Sequence, residues 1–201
     1  MPRTKEQNEQ IKKEKRARIL QVAIESFARN GYGETTIANV AKAAGVSFGT
    51  VFNYFPSKEE LFSAAVVEPL ASIREHVVYR EGRYDGTPVE QIRQMVAEHV
   101  FLFVRQAPYL RLVQYVLGQP DRFPEQFAEL DRFFQSFKDA LRPLVERGQE
   151  AGDLHPCHSD VVAATYFCYL NGIRLTVTDP PDNHEMWQAF TEQGVLLFRP
   201  R

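Results

Sequence analysis

Residues 47–54, SFGTVFNY, carry side chains that can contact the edges of DNA base pairs. Thr50 and Asn53 can donate or accept hydrogen bonds at base edges, and Phe48 can contact a thymine methyl group. Gly49 allows the backbone to come close. The segment contains no arginine, so the bidentate contact to guanine is not available from it. We therefore expect specificity to depend on apolar contact, on threonine and asparagine, and on DNA shape.

The residues around this segment predict a helix-turn-helix. Apolar residues recur at helical spacing up to Gly45, which tolerates the positive φ of a tight turn. Ala41 is small enough for two backbones to approach, and Val51 supplies a bulky anchor in the second helix. Ser47 can cap that second helix by accepting a hydrogen bond from the amide of Thr50. The second helix is then the one that faces a major groove.

Phosphate contacts are expected on both sides of the motif. Thr35 or Thr36 caps its first helix, and either hydroxyl can also hold a phosphate, although capping alone is an alternative. Ser57 and Glu60 have the spacing of a capping box, which places Lys58 in the first turn of the next helix. The helix dipole disfavours a cation there, so a phosphate is a natural partner. Tyr54 can direct its hydroxyl to a phosphate oxygen, with a packing role as the alternative. The expected DNA-contacting set is Thr35, Thr36, Ser47, Phe48, Gly49, Thr50, Asn53, Tyr54 and Lys58.

Residues 19–61 resemble the DNA-binding domain of the tetracycline-repressor (TetR) family of regulators, with the sequence ILQVAIESFARNGYGETTIANVAKAAGVSFGTVFNYFPSKEEL. The resemblance implies an all-helical homodimer. Its N-terminal domains would bind a palindromic operator, and its C-terminal domains would bind an inducing small molecule. Phe48 stands where the family often has a lysine, and Phe52 where it often has a tyrosine. One phosphate charge and one phosphate hydroxyl are therefore not expected here.

Composition and charge agree with a folded DNA-binding protein. Hydrophobic residues make up 44% of the 201 residues, and the longest apolar run, 161–170, is too short to span a bilayer. The N-terminus has no hydrophobic signal-peptide core, and two cysteines are too few for a disulfide framework, so we expect a cytoplasmic protein. Residues 1–58 hold ten Lys or Arg against five Glu, although the net charge of the whole chain is −2. A basic N-terminal part on an acidic body suits a protein that presents one end to phosphates.

Helical periodicity and capping signals predict an all-α fold of about nine helices. The predicted domains are a flexible basic arm at residues 1–9, a helix-turn-helix domain at 10–56, and a ligand-binding and dimerisation domain at 57–201. The arm can reach DNA, or it can be a solvated terminus. No run of residues alternates with period two over a useful length, so no sheet is expected.

Several helix ends can also be predicted. Helix 1 is expected from about Gln10 to Asn30, and helix 4 from about Lys58 to Arg80 with a kink at Pro69. Residues 87–90, TPVE, combine an N-cap, a proline and a capping glutamate, and so begin helix 5. Asp182 and Glu185 have the same capping spacing and are expected to open the last helix, which should run to about Phe198, while helix 8 should cover residues 159–178.

The C-terminal domain has aromatic residues with polar ones among them, which is typical of a pocket for a small molecule. An ordinary core or surface role is the alternative for each residue, and the charge of the ligand stays open. The candidate ligand-binding residues are His99, Phe103, Arg111, Tyr115, Phe137, Tyr166, Asn171 and Arg174.

The last two helices are the expected dimer surface, because small residues there allow close approach and apolar residues supply buried area. A two-fold would place two reading helices in successive major grooves about 34–36 Å apart. Packing of the same face on its own domain is the alternative. The candidate interface residues are Ala164, Gly172, Trp187, Phe190, Gly194 and Leu197.

Enzyme and metal chemistry find little support. The chain contains no P-loop, dinucleotide-binding, GxSxG or HExxH motif, so neither catalysis nor a cofactor is expected. His155, Cys157 and His158 give at most three ligands on one loop, and no metal site is expected. The sequence thus indicates a ligand-responsive regulator, with a repressor released by an inducer as the preferred form. The alternatives are a ligand-independent DNA-binding protein and a helical enzyme or carrier with a vestigial DNA-binding domain.

Overall fold

A computed structural model describes residues 4–176 and 180–201, and the side chain of Arg174 lies outside the described part. Within those residues the chain forms helices and no strand, which confirms the predicted all-α fold. None of the described helices is long and apolar enough to cross a membrane. The helices are α1 (Lys5–Glu34), α2 (Ile37–Ala44), α3 (Phe48–Tyr54), α4 (Lys58–Val77), α5 (Pro88–Arg105), α6 (Ala107–Leu117), α7 (Pro124–Glu150), α8 (Ser159–Thr176) and α9 (His184–Leu196).

Two short capped helices form the predicted helix-turn-helix. The hydroxyl of Thr36 accepts from the amide of Asn39 at the start of α2, with 3.2 Å between the two atoms. Gly45 ends α2 in the left-handed region, with φ 65° and ψ 36°. The hydroxyl of Ser47 then accepts from the amide of Thr50 at 3.2 Å and begins α3. We call α1 to α3 the head and the remaining helices the body.

The first helix begins earlier than the sequence suggested. The hydroxyl of Thr4 accepts from the amide of Gln7 at 3.2 Å, and the Gln7 side chain accepts from the amide of Thr4 at 3.0 Å. This capping box begins α1 at Lys5, so the prediction of a flexible arm through residue 9 is wrong from Lys5 onward. The expected stop at Gly31 is visible as a break with φ 73° and ψ 176°, after which a short helical segment runs to Glu34.

Helix α4 connects the head to the body. It contains Pro69, as expected, and ends at Val77 rather than near Arg80. The guanidinium of Arg16 in α1 donates to both carboxylate oxygens of Glu68, at 2.7 and 2.6 Å. The same guanidinium carbon lies 4.7 Å from the ring centroid of Phe55, the residue that ends α3. One arginine therefore links α1, the end of α3 and the middle of α4.

The predicted starts of α4, α5 and α8 agree with the structure. The side chains of Thr87 and Glu90 form the expected capping box of α5. The last helix is different, because the side chain of Asn183 accepts from the amide of Met186 at 3.3 Å and so caps α9. The predicted cap at Asp182 is wrong by one residue, and α9 ends at Leu196 rather than Phe198. The predicted end of α8 falls on residues 177 and 178, which lie outside the described residues.

Helices α5 and α9 pack closely, and Gly194 lies at their crossing. A Cβ atom at Gly194 would lie 2.9 Å from Cγ1 of Val96 and 3.1 Å from Cε1 of Tyr169. Contacts this short leave no room for a side chain. The absence of a side chain at Gly194 is therefore what lets α9 lie against α5.

We expect Gly194→Leu to lower the free energy of unfolding by about 1–3 kcal/mol, because overpacking would push α9 away from α5. Chemical denaturation followed by circular dichroism, at one protein concentration, measures this change. Gln193→Leu introduces the same side chain at an exposed position of α9 and should change stability by no more than about 0.5 kcal/mol. Equal stability of the two variants would contradict the assigned packing.

Candidate DNA interface and ligand cavity

The outer face of α3 is a free surface on the head. Val51 is fully buried and fixes α3 against the core, whereas Phe48 and Phe52 are 53% and 38% exposed. Gly49 and Asn53 are exposed on the same short helix, and no atom lies within 4 Å of a Cβ built at Gly49. The side chains expected to read bases can therefore approach another molecule.

The hydroxyls of Ser47 and Thr50 are hydrogen bonded to each other, with 2.8 Å between their oxygens. Ser47 also accepts from the amide of Thr50, as a helix cap. One of the two hydroxyls must donate in this pair, so the pair can present one further donor proton and free lone pairs to a base or a phosphate. The helix cap and the hydrogen bond between the two hydroxyls together hold the side chains of Ser47 and Thr50 in one arrangement.

The two threonines before α2 have different environments. Thr35 is only 1% exposed, and its hydroxyl donates to the carbonyl of Gly31 at 2.8 Å. The carbonyl of Ser26 is a second acceptor, 3.2 Å from the same hydroxyl. The predicted phosphate contact of Thr35 is therefore wrong, because its side chain closes the break in α1 from inside the head. Thr36 is exposed at the N-terminus of α2, where a phosphate contact stays a prediction.

Lys58 has partners inside the chain, contrary to the reasoning from the helix dipole. Its ammonium donates to the carbonyl of Gly33 at 3.1 Å and lies 4.5 Å from the ring centroid of Tyr32. The Tyr32 hydroxyl donates to the Glu59 carboxylate at 2.5 Å. Burial and this carboxylate raise the pKa of Tyr32 to about 12, so it stays a neutral donor. Tyr54 is half-buried and packs against the core.

Positive charge on the head comes from outside α3. Helix α3 contains no Lys or Arg, whereas several exposed cations lie along α1 and one lies in the last turn of α2. A phosphate backbone would be attracted mainly by these neighbouring helices. The exposed cations of α1 and α2 include Lys12, Lys13, Lys15, Arg18 and Lys42.

The body contains a cavity of about 340 Å³ with mainly apolar walls. Its walls come from α4, α5, α6, α7 and α8, and among the described residues no Lys or Arg lines it. A volume of this size is in the range of small-molecule sites. The lining residues are Leu70, Ile73, Phe103, Tyr109, Leu110, Val113, Gln114, Leu117, Phe127, Leu130, Asp131, Phe133, Phe134, Phe167, Cys168 and Asn171.

Few polar groups point to this cavity. The Asn171 amide donates to the carbonyl of Phe167 at 2.8 Å, which fixes its orientation. The Tyr109 hydroxyl donates to the carbonyl of Val66 at 2.8 Å and is thereby held by α4. Gln114 and Asp131 are exposed members of the lining and were not among the predicted residues. Neither showed a signal in the sequence, because both look like ordinary surface positions of amphipathic helices.

Of the predicted ligand-binding residues, Phe103 and Asn171 line the cavity. Arg111 is exposed and lies outside the lining, so that prediction is wrong. Tyr115 also lies elsewhere, because its hydroxyl accepts from the amide of Tyr32 at 3.1 Å in the contact of α6 with α1. The prediction for Arg174 falls on a side chain outside the described part.

The remaining three predicted residues form a buried cluster behind the cavity wall. His99 is fully buried, and its Nδ1 lies 3.0 Å from the hydroxyl of Tyr166. Burial, helped by the charge of Arg83, lowers the pKa of His99 to about 3, so it is a neutral core histidine. Phe137 packs beside it, with its ring centroid 5.2 Å from that of Phe167, which does line the cavity. None of these three side chains lines the cavity.

The predicted dimer residues divide into two groups. A Cβ at Gly172 would meet no atom within 4 Å, and Ala164, Phe190 and Leu197 are partly exposed. Trp187 is 6% exposed and donates from its indole to the carbonyl of Pro180 at 2.9 Å, so it packs on its own chain. Gly194 is likewise buried, against α5. The packing of Trp187 and Gly194 inside their own chain contradicts the prediction that they belong to a dimer interface.

Comparison with known proteins finds two family matches along the chain. Residues 19–65 match the family described as "Bacterial regulatory proteins, tetR family", and residues 85–175 match "Tetracyclin repressor-like, C-terminal domain". The HTH-type transcriptional regulator TtgR of Pseudomonas putida is 27% identical over 180 residues, which cover 85% of this chain and 81% of that protein.

Solved structures with the same fold include a bacterial regulatory protein in the tetR family from Rhodococcus RHA1. It has a TM-score of 0.76 and 24% identity, and the match covers 93% of this chain and 98% of that one. AibR, in complex with isovaleryl coenzyme A and operator DNA, has a TM-score of 0.74 and 20% identity. The match covers 93% of this chain and 100% of that one. Since both of its parts match, the chain belongs to the tetracycline-repressor family of bacterial regulatory proteins.

Proposed function

We propose that this ligand-responsive DNA-binding regulator is a repressor, which binds a palindromic operator as a homodimer and leaves it when a small, mainly apolar molecule fills the cavity. The observation that carries the proposal is that one helix, α4, follows the exposed reading helix in the chain and also lines the apolar cavity. Helix α4 begins directly after α3, and its residues Leu70 and Ile73 line the cavity. The site of action would be the cytoplasm, where the operator is.

Two routes connect the cavity to the head. Helix α4 is tied to α1 by the paired contacts of Arg16 with Glu68. Helix α6 lines the cavity and contacts α1, where the hydroxyl of Tyr115 holds the amide of Tyr32. A ligand that fits better when these helices have shifted would favour a head orientation that does not match the operator. A hundredfold loss of operator affinity requires about 2.7 kcal/mol of differential binding.

The composition of the cavity supports a ligand with a lipophilic body. Its wall offers aromatic and branched aliphatic side chains, and two cations contact rings of that wall. The Arg74 guanidinium lies 5.4 Å from the ring centroid of Phe133, and the Lys138 ammonium lies 4.8 Å from that of Phe134. AibR, a protein with this fold, has isovaleryl coenzyme A and operator DNA bound in its structure. A cavity of this size disfavours the alternative of a ligand-independent DNA-binding protein.

A second copy is the proposed partner of the exposed face of α8, because one short reading helix covers too few base pairs for specific binding. Val161 and Cys168 are exposed there, and Gly172 has open space in front of it. Phe190 of α9 and Leu197, just after it, are partly exposed and would extend this interface. An apolar helix face with small residues suits close packing against its own two-fold copy.

The first prediction concerns the reading helix. Asn53→Ala should weaken binding to the preferred operator by about 1–3 kcal/mol and relax the base preference at one position per half-site, since an exposed hydrogen-bonding side chain is lost. The salt dependence of operator binding by Asn53→Ala should equal that of the unaltered protein. Lys42→Ala, in contrast, should reduce the slope of log affinity against log salt concentration by about one. Selection of duplexes from a random pool, followed by titration at several salt concentrations, measures both. Unaltered affinity and preference in Asn53→Ala would remove Asn53 from the interface.

The second prediction concerns the cavity. Val113→Phe should fill part of its volume and abolish release of the operator, while leaving operator affinity within about threefold, because Val113 lines the cavity and is not part of the exposed face of the head. Val113→Ala enlarges the same cavity and should keep the response. Fluorescence anisotropy of a labelled operator, with a panel of fatty acids, acyl thioesters and neutral aromatic compounds, identifies the ligand and compares the variants. Release of the Val113→Phe protein by the same ligand at the same concentration would place the site elsewhere.

The third prediction concerns the dimer. Gly172→Arg should shift the protein to monomers at micromolar concentration, because a charged side chain would stand in the proposed contact. Ala71→Arg adds the same side chain at an exposed position of α4 and should leave a dimer. Sedimentation velocity distinguishes the two species. A dimer that persists in Gly172→Arg would move the interface away from α8.

A further inference from the structure

Two phenylalanines lie together on the exposed face of α3. The ring centroids of Phe48 and Phe52 are 4.7 Å apart, with 52° between the ring planes. The side chains are 53% and 38% exposed, although phenyl rings are normally buried. We call this pair the phenyl ledge. Because it is one helical turn long, it presents a continuous apolar surface beside Gly49 and Asn53.

The chemistry of the ledge limits what it can recognise on DNA. A phenyl ring has neither a donor nor an acceptor, so it cannot pair with polar base edges or hold a phosphate. The 5-methyl group of thymine is the apolar group that a base pair presents in the major groove. Helix α3 carries no cation, so it places no charged partner for a phosphate beside the ledge. Thymine methyl groups are therefore the DNA feature that fits the ledge.

We infer that the phenyl ledge selects operators by burying thymine 5-methyl groups, so that each half-site carries thymines at the positions facing Phe48 and Phe52. This inference rests on the proposed operator binding and adds the determinant of its sequence. The hydrogen-bonding side chain of Asn53, exposed on the same helix, would read a neighbouring base edge. Specificity at the ledge positions then comes from apolar contact.

Replacement of single thymines by deoxyuridine in the selected operator tests the inference, because it removes the methyl group and nothing else. Each thymine against the ledge should lose about fourfold in affinity when its methyl is removed, the value expected for one buried methyl group. Thymines elsewhere in the half-site should tolerate the replacement. In a Phe48→Ala or Phe52→Ala variant, the replacement at the corresponding position should no longer matter. In an operator that carries cytosine instead of thymine at that position, replacement of the cytosine by 5-methylcytosine should recover part of the affinity of the unaltered protein.

The control is Phe101→Ala, which removes a phenylalanine that is 57% exposed on α5. It should keep both operator affinity and sensitivity to deoxyuridine. Because the ledge residues are exposed, their alanine variants should unfold at the temperature of the unaltered protein, which thermal denaturation verifies. A tight operator complex that tolerates deoxyuridine at every position would overturn the inference, and so would alanine variants with unaltered affinity. Failure to select any operator would instead count against the proposed repressor function itself.

Discussion

The head and the body share one cluster of aromatic side chains, which packs α1 against α4 and α6. Phe27 and Tyr32 of α1 both contact the ring of Phe62 in α4, with centroid distances of 5.0 Å. Phe123, just before α7, lies 4.7 Å from Phe62 and 5.7 Å from Tyr115 of α6. The cluster is an edge-to-face and tilted packing of large rings, so any movement of one ring displaces its neighbours.

This shared cluster explains how a ligand some distance away could influence DNA binding. Edge-to-face aromatic pairs contribute about 0.5–1.5 kcal/mol each beyond the area they bury. Loss or gain of two such contacts is therefore comparable to the coupling that a hundredfold change in affinity requires. The positive φ of Gly31 and the internal hydrogen bond of Thr35 shape the chain where it enters the cluster. Local backbone geometry thus fixes the course of α1 next to the cluster.

The sequence predicted what depends on local chemistry and less of what depends on packing between distant segments. Caps at Thr36, Ser47 and Thr87 were predicted because their partners lie three residues away. A pocket in the C-terminal domain was predicted, but most of its lining was not, because a helical residue that faces a void has the same spacing as one that faces a neighbour. For the same reason Gly194 looked suited to a dimer surface, although its close neighbours come from α5 and α8 of the same chain.

The head also separates the sources of affinity and of specificity. Exposed cations lie on α1 and α2, where they would attract phosphates in a way that is independent of sequence and sensitive to salt. Helix α3 contributes no charge, and its exposed face consists of phenyl rings, a glycine, hydroxyls and an amide. Because Lys58 is held by Gly33 and Tyr32, even the cation that follows α3 in the chain is partly engaged in the fold. A protein built this way would bind DNA in general through one set of helices, and would distinguish one operator from another through a helix that contacts base pairs without charge.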